Sequence, residues 1–193
     1  MKSLSFDVEE VLKLFEEKKV FDLRGISSRL VREASIGNDY AKAELGIIAY
    51  ALHKIESKQH FVNSPQWGRL KQTVKENLRN AKSSLEQNNT KQFLESLKKV
   101  IQNITKIDSE LGNYATGIYE KAKVKEASLA YSYGLSIAQA ADLTGADKKE
   151  LQSYIGSTTM HDEEPEIKNI TIRVKELREL VENQKYPGEK KWI

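Results

Sequence analysis

The chain contains no cysteine and only three prolines among its 193 residues. The absence of cysteine excludes disulfides and zinc sites with thiolate ligands, and it suits a cytoplasmic protein. So few prolines leave room for long uninterrupted helices. Hydrophobic residues make up 39% and charged residues 31% of the chain. This composition is typical of a soluble, mostly helical protein and not of a disordered one.

Long apolar runs are also missing. No run approaches the roughly 18 apolar residues that a membrane span needs. The first ten residues lack the apolar stretch of a signal peptide. The longest apolar patch, from Leu45 to Leu52, is better explained as part of a buried helix. We therefore expect a cytoplasmic protein without a membrane partner.

Motifs for catalysis are absent as well. The chain has no phosphate-binding loop, no dinucleotide-binding motif and no nucleophile-elbow serine. Its three histidines, His53, His60 and His161, show no spacing typical of metal ligands. His53 is expected in a helix core, and the acidic residues beside His161 are better explained as a solvated loop than as an ion site. We predict no enzymatic activity, no cofactor and no metal site.

Charge of one sign is not in large excess, because the formal net charge is only +3. Positive side chains are nevertheless concentrated in residues 69–99, which carry eight positive and three negative ones. A basic segment of this kind can attract the phosphates of a nucleic acid. The plainer interpretation is a solvated helix face, and RNA binding by this face is an alternative.

Two short helices with marked starts are predicted between residues 136 and 155. Ser136 is followed three residues later by Gln139, and Asp147 by Glu150. Each pair fits a capping box, in which two side chains bond the free backbone N–H groups at a helix start. Gly145 lies between the helices and can adopt a positive φ at little steric cost. The pattern predicts a helix-turn-helix.

The second helix of such a unit commonly enters the major groove of DNA. Lysine, glutamine and serine side chains can meet phosphates and base edges there, and hydroxyls at a helix start can meet phosphate. The candidate DNA-binding residues are Ser136, Thr144, Lys148, Lys149, Gln152 and Ser153. The residues expected to face inward are Ile137, Ala141, Leu151, Tyr154 and Ile155.

Helices are also predicted throughout the N-terminal part. Asp7 and Glu10 could cap a first helix from about Val8 to Lys18, and Ser64 could cap another over 65–87. The most regular pattern follows, with apolar residues at alternating steps of four and three, which predicts a long helix with a packing seam. That seam would pack on helix 65–87 in a hairpin or form a dimer interface. Its members are Phe93, Leu97, Val100, Ile104, Ile107, Leu111, Tyr114 and Ile118.

The predicted fold is all-α with three parts. Residues 1–118 form a helical bundle with a long hairpin, and residues 119–160 form the helix-turn-helix unit. Residues 161–193 comprise an acidic loop, an amphipathic helix and a mobile tail, with 167–171 open between strand and helix. In this last part the candidate partner-binding residues are Ile170, Val174, Leu177 and Trp192.

Several short motifs in residues 130–182 carry a resemblance. They are a Gly-Leu-Ser-Ile start at Gly134–Ile137, an Ala-Ala-acid-Leu segment at Ala140–Leu143, the turn glycine Gly145, and a Tyr-Ile-Gly-x-Thr-x-x-His-Asp stretch at Tyr154–Asp162. In these motifs the chain is similar to archaeal helix-turn-helix proteins associated with PIN-domain toxins.

The resemblance implies an antitoxin or transcriptional regulator that binds its operator through residues 148–153. It also implies that the segment after Pro165 contacts a PIN-domain toxin or another protein. The long helical part in residues 1–118 departs from short antitoxins, so a sensing, dimerising or scaffold role is plausible for it.

The sequence therefore predicts a sequence-specific DNA-binding regulator. Its partners would be double-stranded DNA and a second copy of the chain, because a palindromic operator doubles the contacts of one unit. The alternative is a non-enzymatic protein-interaction module that uses the hairpin and the C-terminal helix.

Overall fold

The computed structural model describes residues 2–111 and 117–159. These residues form α-helices and no strand, so the predicted all-α class is confirmed for them. Among these helices, none is both long and apolar enough to cross a bilayer. The helices are α1 (Lys2–Glu16), α2 (Val20–Gly37), α3 (Tyr40–Glu56), α4 (Gln59–Val62), α5 (Trp67–Glu86), α6 (Thr90–Leu111), α7 (Ile118–Ser132), α8 (Ile137–Thr144) and α9 (Lys148–Thr159).

The first helix begins earlier than predicted, and the expected cap at Asp7 is wrong. Asp7 lies inside α1 and is buried. Its carboxylate lies 3.1 Å from the Arg29 guanidinium and 3.4 Å from the Lys42 ammonium. Glu10 and Glu33 join the same network, at 2.8 Å and 3.1 Å from Arg29. Asp7 therefore ties α1 to α2 and α3, because a buried carboxylate needs cationic partners.

Most of the apolar core lies between α1, α2, α3, α5 and α6. α5 and α6 pack on each other and are joined by a three-residue link. Asn88 in this link has a positive φ of 55°. The seam residues of α6 in the described part face this core and are buried, which leaves no exposed seam there for a second chain. These residues are Phe93, Leu97, Val100 and Ile104. The seam members Ile107, Leu111 and Tyr114 lie outside the described side chains.

Helices α7 and α8 pack against the N-terminal helices. Met1–Gly156 forms one compact unit, and Ser157–Ile193 is a second one. α7 packs against α2 and α3, and Val31 of α2 belongs to the same apolar cluster as residues of α7, α8 and α9. Leu143 of α8 packs with Ala34 and Ala43. Tertiary contacts therefore join the predicted DNA-binding helices to the N-terminal helices.

α2 and α3 approach each other closely at Gly46. The Ser27 hydroxyl donates a hydrogen bond of 2.8 Å to the Gly46 carbonyl. A Cβ added at Gly46 would lie 2.9 Å from Cγ2 of Val31 and 3.3 Å from the backbone oxygen of Ser27. Glycine is therefore needed at this position for the two helix backbones to pack.

We expect Gly46→Ala to lower the free energy of unfolding by about 1–2 kcal/mol. Crowding of the packed core costs about 1–3 kcal/mol and outweighs the gain of up to about 1 kcal/mol in helix propensity. Urea denaturation measures the change. Gly68→Ala in α5 is the matched control, because a Cβ there meets nothing within 4 Å. Equal stability of Gly46→Ala and the unmodified protein would contradict the close approach.

Candidate nucleic-acid interface

The start of α8 has the predicted capping box. The Ser136 hydroxyl accepts a hydrogen bond of 3.2 Å from the Gln139 backbone N–H. The Gln139 side-chain oxygen accepts one of 3.0 Å from the Ser136 backbone N–H. Two N–H groups that the helix leaves unpaired are satisfied in this way, so the helix start is defined locally.

The turn between α8 and α9 also follows the sequence signals. Gly145 has a φ of 65°, in the left-handed region that favours glycine. The Asp147 carboxylate then accepts hydrogen bonds of 2.9 Å from the backbone N–H groups of Lys149 and Glu150. A full capping box also requires the Asp147 backbone N–H to donate to the Glu150 carboxylate, and this bond is absent among the hydrogen bonds of the described residues. The second box is thus only half formed.

Small side chains let α7, α8 and α9 approach each other closely. Alanines from α7 and α8 pack with Ala146 and Leu151 in one buried cluster. Leu151 and Ala141 are buried as predicted, and Ile137, Tyr154 and Ile155 are partly buried against the cluster. α9 continues to Thr159, beyond the predicted end at residue 155.

The opposite face of α9 carries exposed polar side chains. Lys148 and Gln152 are four residues apart, as are Lys149 and Ser153, so the four form two neighbouring rows on one face. All four are exposed, whereas Leu151 is buried on the other side of the helix. α9 therefore presents two ammonium groups, a carboxamide and a hydroxyl together.

The two remaining candidates differ from each other. Ser136 is exposed at the start of α8, and its hydroxyl hydrogen can still donate outward. Thr144 is only 2% exposed, and its hydroxyl donates a hydrogen bond of 2.8 Å to the Ala140 carbonyl. The expected phosphate contact of Thr144 does not fit this geometry, because the hydroxyl bonds its own helix.

Two contacts that sequence reasoning missed join α3 to this region. The Tyr40 hydroxyl donates a hydrogen bond of 2.6 Å to the Asp142 carboxylate on α8. This bond to a charged carboxylate raises the pKa of Tyr40. The Tyr119 hydroxyl on α7 bonds the Glu44 carboxylate, and burial with this neighbouring charge raises the pKa of Tyr119. No local pattern predicts pairs so far apart in the chain.

Sequence reasoning also missed Glu126 on α7. It is only 1% exposed, and its Oε2 atom is buried without a hydrogen-bond partner. Burial raises the pKa of Glu126 to about 7, although Ser27, Lys125 and Arg24 act in the opposite direction. Its spacing could have indicated burial, because Ala122 and Ala130, both buried, stand four residues before and after it on the same side of α7.

The basic segment over residues 69–99 is partly neutralised. Lys71 pairs with Glu56, and Lys82 lies 2.8 Å from Glu9. Arg79 pairs with Glu16 of α1 at 2.5 Å. Several of its cations therefore stabilise contacts between helices, which favours the interpretation as a structural and solvated face over a nucleic-acid site.

His53 lies where the sequence predicted it, in a helix core. His53 is buried, and its Nδ1 lies 2.7 Å from the Val20 carbonyl oxygen. Burial lowers the pKa of His53, so its neutral form is favoured. His60 is exposed, and His161 lies outside the described residues. Residues 2–111 and 117–159 contain no group of three candidate metal ligands.

No family model, curated protein or solved structure matches the chain. The resemblance to antitoxin-like regulators therefore stays a prediction from short motifs. The candidate partner-binding residues Ile170, Val174, Leu177 and Trp192 lie outside the described residues.

Proposed function

We propose that the protein is a sequence-specific DNA-binding regulator in which α8 and α9 act as a helix-turn-helix. One observation carries the proposal: α9 is anchored by Leu151 and exposes Lys148, Lys149, Gln152 and Ser153 on one face. A helix held on one side and polar on the other can lie in a major groove, which is wide enough for an α-helix. The N-terminal helices form the bundle that supports it.

Each exposed side chain has a role that its chemistry suits. Lys148 and Lys149 neutralise phosphates at the groove edge, and Gln152 reads an adenine through its N6 and N7 atoms. Ser153 and Ser136 donate hydroxyl hydrogen bonds to phosphate oxygens. Thr144 is left out of the interface because its hydroxyl is buried.

Two acidic residues near α9 oppose DNA binding. Asp147 offsets its charge by bonding backbone N–H groups at the positive end of the helix dipole. Glu150 is exposed, but at 100° per residue it lies about 160° around the helix from Gln152. The proposed groove face therefore contains cations and neutral donors, and the two carboxylates lie away from it.

Selection from random duplex DNA, followed by sequencing, tests the proposal. We expect one enriched motif, repeated as an inverted pair if two copies bind, and affinity that falls steeply with salt. Absence of an enriched motif together with salt-insensitive binding would overturn the proposal. An inverted repeat would in addition support a dimer.

Gln152→Ala is expected to remove the preference for one base pair. Loss of a bidentate contact costs about 1–3 kcal/mol at the preferred site, which is roughly 5- to 150-fold in affinity. Binding to unrelated duplexes should stay the same, since Gln152 is uncharged. Fluorescence anisotropy measures the affinity for the selected duplex and for a scrambled one. Gln102→Ala on α6 is the control. An equal loss on both duplexes would contradict base reading.

A second proposal is a protein-interaction module without DNA binding. An apolar groove of about 340 Å³ between α3 and α6 favours it, and Leu94, Leu97 and Ile101 line this groove. Leu94 is exposed there. In this case we expect no DNA shift at about 150 mM salt, and loss of a co-purifying protein in Leu94→Glu. Preference for structured RNA over duplex DNA in a competition assay would instead support the RNA alternative.

A further inference from the structure

The exposed face of α2 carries the two most exposed large apolar side chains of the described residues. Phe21 is 85% exposed and Ile36 is 80% exposed, compared with 62% for Phe6 on α1. Both lie on one regular helix whose other side is buried in the core. Covering such exposed apolar side chains with another protein surface is favourable, because it removes apolar area from water.

The residues between them complete one narrow stripe. Phe21, Gly25, Ser28, Arg32 and Ile36 follow steps of four, three, four and four residues. Residues at such steps lie on the same side of an α-helix. The stripe, defined by these five residues, runs nearly the full length of α2.

The stripe is complementary to itself in the antiparallel direction. Phe21 and Ile36 are equally far from the midpoint between Ser28 and Arg29, and so are Gly25 and Arg32. A two-fold axis through this midpoint would place Phe21 against the partner's Ile36. It would also place Arg32 against the partner's Gly25, so the long arginine side chain faces a residue that has no side chain. An isologous contact needs this kind of self-matching.

Gly25 is not explained by the packing of one chain. A Cβ added there meets nothing within 4 Å, and glycine inside a helix costs about 0.5–1 kcal/mol relative to alanine. A close approach by a second helix would explain the missing side chain.

The charges of the face also match. Asp22 is exposed one turn before Gly25, within reach of the partner's Arg32 in the antiparallel arrangement. Arg29 lies close to the axis, but Asp7, Glu10 and Glu33 of its own chain already bond it. Each Arg29 guanidinium is thus already neutralised by carboxylates of its own chain, so the two Arg29 side chains would not repel each other strongly in the dimer.

We propose that two copies of this chain associate through the α2 stripe as an antiparallel, two-fold symmetric dimer. Binding to a palindromic operator requires two copies of the chain, and this dimer would supply them. In that respect the inference rests on the proposed function. The residues named for DNA contact lie on α8 and α9, so the two surfaces do not share a side chain.

The oligomeric state, measured without DNA, tests the dimer. We expect analytical ultracentrifugation to show a dimer of the full chain at micromolar concentration. Phe21→Glu with Ile36→Glu should weaken dimerisation at least about 100-fold, because both apolar contacts, made by four side chains, are lost. Phe6→Glu is the matched control and should leave the dimer intact. A monomeric unmodified chain at these concentrations, or a dimer that the double variant does not weaken, would overturn the proposal.

Two further variants separate the contact from folding defects. Gly25→Leu adds a side chain into open space of a single chain, so we expect unchanged thermal stability of the monomer and loss of the dimer. Ser28→Cys lies next to the axis in a chain without cysteine, and mild oxidation should join the two copies through this position. Ser83→Cys on α5 is the control. A dimer that persists in Gly25→Leu, or no cross-link at position 28, would contradict the α2 contact.

The dimer and the DNA proposal fail in distinguishable ways. Sedimentation without DNA reports only the α2 contact, and binding of a single half-site by the Phe21→Glu, Ile36→Glu variant reports only α9. Retained half-site binding by a monomeric variant would support both proposals.

Discussion

Lys148→Glu together with Lys149→Glu is expected to weaken binding to the selected duplex by about 100-fold. At each position a phosphate contact is lost, and the new carboxylate repels the phosphates. A cost of about 1.4 kcal/mol per position corresponds to the 100-fold loss of affinity. The slope of log affinity against log salt should become shallower by about two, because two fewer phosphates are neutralised. Fluorescence anisotropy over a salt series measures both quantities.

Lys91→Glu with Lys99→Glu is the matched control for charge. Both lysines are exposed on α6, so this variant has the same net charge as the α9 variant but leaves α9 intact. Neither pair is buried, and both proteins should unfold at nearly the temperature of the unmodified chain. If the α6 variant loses as much affinity as the α9 variant, binding depends on overall charge and the proposed interface is wrong.

Glu126→Gln is expected to make the protein more stable than the unmodified chain by about 3 kcal/mol at about pH 8. The side chain is buried, and its folded-state pKa is raised from 4.5 to about 7 by the cost of burying its charge. Glutamine has nearly the same shape and carries no charge, so this cost disappears. Urea denaturation at several pH values measures the difference.

The pH window of this effect follows from the direction of the shift. Below about pH 4.5 the carboxyl is protonated in both states, so the two proteins should be similarly stable. Between 4.5 and about 7 the unfolded chain releases its proton while the folded chain keeps it, so the unmodified protein loses stability as the pH rises. Above about 7 the loss reaches a plateau.

Glu95→Gln on the exposed side of α6 is the control for this experiment, and it should change stability little at any pH. A Glu126→Gln variant whose stability follows the same pH dependence as the unmodified chain would contradict protonation of Glu126. Glu126 lies where α7 meets Ser27 of α2. The stability that the unmodified protein loses as the pH rises should therefore weaken the packing of α7 on the N-terminal helices.

The parts of the candidate site that could be predicted depend on residues close together in the chain. Ser136 and Gln139 are three positions apart, and the turn needs only the positive φ of Gly145. The inward position of Leu151 follows from helical spacing. Such features are decided by backbone geometry over one or two turns, so a single sequence contains them.

At other positions a distant element outweighs the local pattern. Asp7 has a residue type typical of a helix cap, yet Arg29 and Lys42 bind its carboxylate inside α1. Thr144 has a hydroxyl that could face phosphate, yet burial against the other helices turns it to the Ala140 carbonyl. Neither outcome is visible in the residues next to them.

The sequence by itself determined the helical class, the apolar faces and the caps and turn that define α8 and α9. Those features arise from hydrogen bonds and side-chain spacing within a few residues. Only the tertiary structure decided that Glu126 is buried, that Tyr40 bonds Asp142, and that α2 leaves Phe21 and Ile36 exposed. The physical reason is that desolvation and long-range pairing depend on which helices pack together, and local spacing does not specify this.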